Sequence, residues 1–200
     1  VSPILESIGS VKGFGWGAFA DYTPAYESIA TFTATGGEST FTFSSIPQTY
    51  KHLQIRGLAK SSPPGSGFQG TGGIFLRYNG ISTTSYSRTN LQSDSSSVSF
   101  NHDTQSAGYI YNAIIGSYDS PLPWAASIID IMDYSSTNKN KTTKSFTGVN
   151  NNANNTNYKM SLGSFIFTNT AAITEILINV AVNGGTSAAG TTFALYGIRG

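Results

Sequence analysis

At 200 residues the chain can bury the core of one antiparallel β domain without dividing. Charged residues make up only 10% against 38% hydrophobic, with 22 glycines, so hydroxyls and amides rather than Lys and Glu solvate the surface. The net charge of +1 gives no footprint for nucleic acid or an anionic bilayer, and the absence of cysteine excludes disulfide frameworks, Cys-zinc sites and thiol chemistry.

The first stretch, Val1 to Glu27, spaces aromatics with glycines, as in Gly13-Phe14-Gly15-Trp16-Gly17, and shows no helical period. It is expected to be an extended arm or linker, with Phe14, Trp16, Phe19, Tyr22 and Tyr26 as its anchoring side chains. No apolar run reaches the roughly 18 to 20 residues of a membrane helix, and the opening Val1-Ser2-Pro3 lacks a basic signal region, so membrane insertion is not expected.

From Ser28 to Gly200 the pattern is short strands of period two, bounded by Gly, Pro, Ser and Asn. Ser28–Ala34 and Ser39–Phe43 flank Gly36-Gly37, which predicts a hairpin. Pro47 interrupts the ladder before His52–Ala59, where Leu53, Ile55 and Gly57 alternate with His52, Gln54 and Arg56. Ser61–Gly73 reads as a loop, and the following strand ends at Asn79-Gly80, a second hairpin signal.

Residues 81–106 are rich in Ser, Thr and Asn and predict long surface excursions with one short strand near Val98. Gly108–Ile115 and Pro123–Tyr134 predict strands, the latter apolar enough to be central and covered on both faces. Asn138–Lys144 reads as a basic turn, Asn150–Asn157 as a loop, and Met160–Phe167, Ile173–Val182 and Thr191–Arg199 as closing strands. About nine or ten strands with turns every eight to twelve residues predict an all-β, antiparallel β-sandwich of jelly-roll-like form.

Three stretches carry a family resemblance: Ser44 to Gly57, through Ile46-Pro47-Gln48-Thr49-Tyr50; Asp130-Ile131-Met132-Asp133-Tyr134 with Thr137-Asn138-Lys139; and Phe193 to Gly200. Together they resemble the C-terminal β-sandwich modules of tailed-bacteriophage virion proteins, of the cyanophage type termed tail fibre, minor tail or virion structural protein. The resemblance implies a non-enzymatic tail-fibre or tail-tip module in the virion. Its implied partners are other virion proteins, further copies in a homotrimer, and a host-surface glycan. The alternative is a capsid decoration protein or head fibre that docks through the N-terminal arm; a glycan-degrading enzyme is a third class.

The residues themselves offer little catalytic chemistry. A hydrolytic triad would have to use His52, on the polar side of a strand, or His102, in a Ser-rich stretch where a solvated role competes with a pH-sensitive or metal-binding one. Asp130 and Asp133, at i and i+3 on one strand, point to opposite faces and make a poor general acid–base pair. No cofactor fingerprint or calcium loop occurs. Lys139 and Lys141 fit either a solvated turn or a contact with acidic polysaccharide, and Phe68, Tyr86, Tyr109, Tyr111 and Tyr118 fit either sugar stacking or packing.

Overall fold

Alternating apolar and polar residues become strands because successive side chains leave opposite faces of an extended backbone. The computed structural model describes residues 24–62, 71–94, 96–116, 124–150, 158–181 and 185–200, and their regular elements are all strands. In chain order these are β1 (Tyr26–Thr33), β2 (Thr40–Phe43), β3 (His52–Ala59), β4 (Ser61–Ser62), β5 (Thr71–Tyr78), β6 (Tyr86–Ser93), β7 (Val98–Gln105) and β8 (Gly108–Ile115). There follow β9 (Ala125–Met132), β10 (Lys141–Asn150), β11 (Tyr158–Phe167), β12 (Ile176–Asn179), β13 (Thr186–Ser187) and β14 (Thr192–Ile198).

Two antiparallel sheets form a β-sandwich. The larger has eight strands in the order β1-β14-β3-β9-β10-β11-β6-β7, the smaller four in the order β2-β12-β5-β8, and β13 pairs with β4 in a short third ladder. Leu53, Ile55, Ile129, Ile131, Phe165, Phe193 and Leu195 of the large sheet close on Phe41, Phe43, Ile74, Leu76, Ile110, Ile176 and Ile178 of the small one. β8 lies beneath β10, β11 and β6.

Both expected hairpins are instead crossings between sheets. Gly36 and Gly37 do take the positive φ of a turn (108° and 94°), but β1 pairs with β14 and β2 with β12. Asn79 and Gly80 have the φ of a two-residue hairpin turn (52° and 67°), closed by the Ile81 amide donating to the Tyr78 carbonyl at 3.0 Å. The chain then leaves β5 in the small sheet for β6 in the large one. In place of a ladder, the Tyr86 hydroxyl accepts from the Tyr78 amide at 2.9 Å and donates to the Ile81 carbonyl at 3.1 Å.

The stretch expected as surface excursions instead forms β6 and β7, paired in unbroken register from Tyr86↔Gln105 to Ser93↔Val98. Ser and Thr, which read as loop, here line a ladder whose Asp94 carboxylate caps the turn by accepting from the Ser96 and Ser97 amides. The basic turn ends earlier than expected, because Lys141 and Lys144 belong to β10. Tyr26, assigned to the arm, opens β1 opposite Ile198.

The three stretches that carry the phage resemblance converge. They supply β3, the end of β9 with its turn, and β14, which are adjacent in the order β14-β3-β9. Their glycines mark close approaches: a Cβ on Gly57 would stand 2.8 Å from the Phe193 ring, and one on Gly197 only 2.4 Å from the Tyr50 ring. Tyr134 donates its hydroxyl to the Pro47 carbonyl, and the Asp133 amide donates to His52 Nδ1 at 2.9 Å, tying the corner together.

Candidate interaction surface

In a sandwich the apolar positions of each strand should face the partner sheet. β3 and β9 obey this: Leu53, Ile55, Ile129 and Ile131 point inward and are fully buried. From β10 to β6 the pattern partly inverts. The buried inner positions include hydroxyls and amides, namely Thr143, Ser145, Thr147, Ser161 and Asn90, beside the aromatics Phe165, Phe167 and Tyr86, while Phe146, Leu162, Leu91 and, on β7, Phe100 point outward and are exposed.

The inner polar layer is partly hydrogen-bonded, with Asn112 Nδ2 donating to Ser161 Oγ at 2.8 Å and Thr147 Oγ1 to the Tyr111 carbonyl at 2.7 Å. Buried hydroxyls of this kind are acceptable only where such partners exist. The outer layer has no such chemistry. Cross-strand register brings Ile128, Phe146, Leu162, Leu91 and Phe100 into one row over β9, β10, β11, β6 and β7. A second row runs Leu58, Ala126, Gly148, Met160, Ser93 and Val98.

Phe100 and Val98, on the edge strand, are the most exposed members, at 66% and 69%. At the other end, Arg56, Leu58, Ile128, Thr192 and Ala194 surround an apolar hollow of about 280 Å³. Ala194 on β14 is small where its row neighbours Arg56 and Ile128 are large, which leaves the space open. The Arg56 guanidinium lies over the Tyr196 and Tyr26 rings at 5.2 and 5.8 Å, so its charge stands at the rim. β9 is thus central but open on its outer face, where Ile128 is 43% exposed, contrary to the expectation that both faces are covered.

The candidate side chains separate into several environments. Tyr86 is not a surface residue: it is fully buried, stacked on Phe167 at 4.9 Å between centroids, and burial pushes its phenol pKa up. Lys141 is likewise fully buried, because β10 turns it inward, where its ammonium donates to the Lys139 and Thr170 carbonyls at 2.7 and 2.9 Å. Desolvation moves its pKa down.

Lys139 is exposed in the turn and reaches Asp133 Oδ2 at 3.2 Å, an ion pair that holds the Asp133 carboxyl below the ordinary range. His102 stands on β7 rather than in a loop, and its Nδ1 donates to the Arg88 carbonyl at 3.1 Å. Tyr109 and Tyr111 lie on β8, the strand expected over Gly108–Ile115, and pack edge to face at 4.6 Å beneath the Arg88 guanidinium. Phe14, Trp16, Phe19, Tyr22, Phe68 and Tyr118 lie outside the described residues.

Most carboxylates among the described residues are engaged. Arg88 pairs with Asp103 and Arg199 with Glu27, each lowering the acid's pKa. Glu38, bound by the Ser187 and Thr35 hydroxyls and the Thr35 amide, falls to about 2. Asp130 accepts from Gln54 Nε2 at 2.7 Å, whereas Asp133 sits in the turn, so the two do not form a pair across a cleft. Among the described residues no three His, Asp or Glu side chains are grouped to hold a metal.

The outward rows were not legible as a site. Leu91, Val98 and Phe100 fall in the stretch read as surface excursions, and alternation shows that residues share a face without showing which face is covered. The residues between them mislead: Ser145, Thr147 and Ser161 are poor core residues, so the pattern places them outside and Phe146 and Leu162 inside, the reverse of their burial. Comparison with protein-family models, curated proteins and solved structures returned no match.

Proposed function

We propose that this chain is a non-enzymatic structural module of a tailed-phage virion, placed in the tail fibre or tail tip and working through assembly and host-surface contact. The observation that carries the assembly reading is the outward apolar face of β9, β10, β11, β6 and β7. A free monomer rarely presents so large a contiguous apolar patch, and such patches mark interaction surfaces. The weakly charged surface around it favours association, since few charges have to be desolvated.

The assignment to a virion rests on the three resembling stretches. They form one contiguous corner, β14-β3-β9 with its turn. The engaged carboxylates support the non-enzymatic reading: Glu38, Asp103 and Asp133 are held low by hydroxyl, Arg and Lys partners, which keeps these three ionised rather than poised as general acids.

Immunogold labelling of purified particles with antibody to the full chain tests this reading. Label at the tail is the expected result. Label over the head would favour the capsid decoration protein, and particles without the chain would overturn the virion assignment.

A further inference from the structure

We propose that the outward apolar face is closed by a second copy of this chain, the two large sheets meeting about a two-fold axis that runs along the strands between β10 and β11. The proposal deepens the assembly reading above and rests on it. In the order β3-β9-β10-β11-β6-β7, such an axis exchanges β10 with β11, β9 with β6 and β3 with β7. Strand directions of the two sheets then stay roughly aligned, the common geometry of face-to-face sheets.

The rows fit themselves under this operation. Phe146 meets Leu162 of the other copy, Ile128 meets Leu91, and the protruding Phe100 reaches the hollow beside the Arg56 guanidinium. In the second row Leu58 meets Val98. Met160 meets Gly148, where nothing lies within 4 Å of the site a Cβ would occupy.

The flanking polar row sets Lys144 against Ser164, Asp130 against Thr89 and Gln54 against His102, so no like charges oppose one another. The half-exposed side chains of the two apolar rows present on the order of 800 Å² per copy, one partner's share of a standard-size interface. An isologous contact of this kind is self-complementary and closes at two copies.

Equilibrium sedimentation of the full chain at micromolar concentration tests the proposal. The wild-type chain should be a dimer, Ile128→Glu and Leu91→Lys each a folded monomer, and the double variant a dimer again. Within one chain β9 and β6 are three strands apart, so only the two-fold contact brings positions 128 and 91 together.

Should either single variant fail to fold, Leu58→Cys combined with Val98→Cys gives a second measurement. The chain has no other cysteine, and β3 and β7 stand five strand steps apart, roughly 24 Å at about 4.8 Å per step, so a disulfide there must join two copies. A covalent dimer on oxidation supports the two-fold. A monomeric or trimeric wild-type chain, singles that remain dimeric, a double variant that stays monomeric, or no cross-link overturns it. These readouts do not depend on where the chain sits in a particle, so the virion assignment stands or falls separately.

Discussion

Two side chains show how single residues hold this sandwich. Tyr86 satisfies one amide and one carbonyl where the chain crosses between sheets, so Tyr86→Phe removes a hydroxyl whose partners stay buried. The expected loss is about 1–3 kcal/mol in urea denaturation, with surface properties unchanged. Glu38 ties the turn after β1 to Ser187, and its carboxyl titrates near 2 in the folded chain instead of 4.5. Because the folded pKa is the lower one, its contribution is complete above about pH 4.5 and is lost as pH falls towards 2. Glu38→Gln should flatten that part of a stability-against-pH profile; a profile unchanged by the substitution would show that the clamp is not felt.

At the scale of strands, contact between neighbours depends on missing atoms. Gly57 of β3 leaves room for the Phe193 ring of β14 and for Ser127 of β9, so Gly57→Ala should cost about 1–3 kcal/mol through overpacking. Gly148 of β10 has nothing of its own chain within 4 Å of a Cβ position, so Gly148→Ala, measured in the Ile128→Glu background where the outer face is free, should shift the midpoint of denaturation little, within about 0.5 kcal/mol. Parallel urea titrations of the two variants make the comparison.

The strands themselves were largely legible, because Leu53, Ile55, Ile129, Ile131, Ile176 and Ile178 alternate cleanly and are all buried. Sheet membership was not. Gly36-Gly37 and Asn79-Gly80 have the local chemistry of hairpins, and local chemistry fixes a turn without deciding whether the strands it joins will pair. β6 and β7 were hidden for a different reason: their ladder positions are filled by Ser, Thr, Asn and Gln, residues that also make loops. Tyr86 and Lys141 were misplaced with them, since a residue's direction follows from a register that those polar stretches do not announce.

For the molecule as a whole, charged residues make up only 10% of the chain, so the association proposed above draws mainly on uncharged surface. Dimer formation through the apolar rows should therefore change little between low salt and ~0.5 M NaCl, where exposed charge pairs are screened within a few ångströms. Sedimentation across that range is the check, and a dimer that dissociates in salt would point to an ionic contact elsewhere. The low charge also bears on the glycan expectation: Lys141 is buried and Lys139 is paired with Asp133, which leaves the turn a weak attractor for an acidic polysaccharide.

The placement of β14 has a consequence for how the chain is made. β14 follows the other described strands in the chain and is inserted between β1 and β3, with registers from Thr33↔Thr192 and Leu58↔Thr192 onward. Until then the growing chain carries two open ladders facing a gap, and Phe193 and Leu195 are missing from the core. A product stopped before Thr192 would lose an interior strand rather than an edge. It should accumulate in the insoluble fraction, whereas a chain extended through Ile198 can close the large sheet.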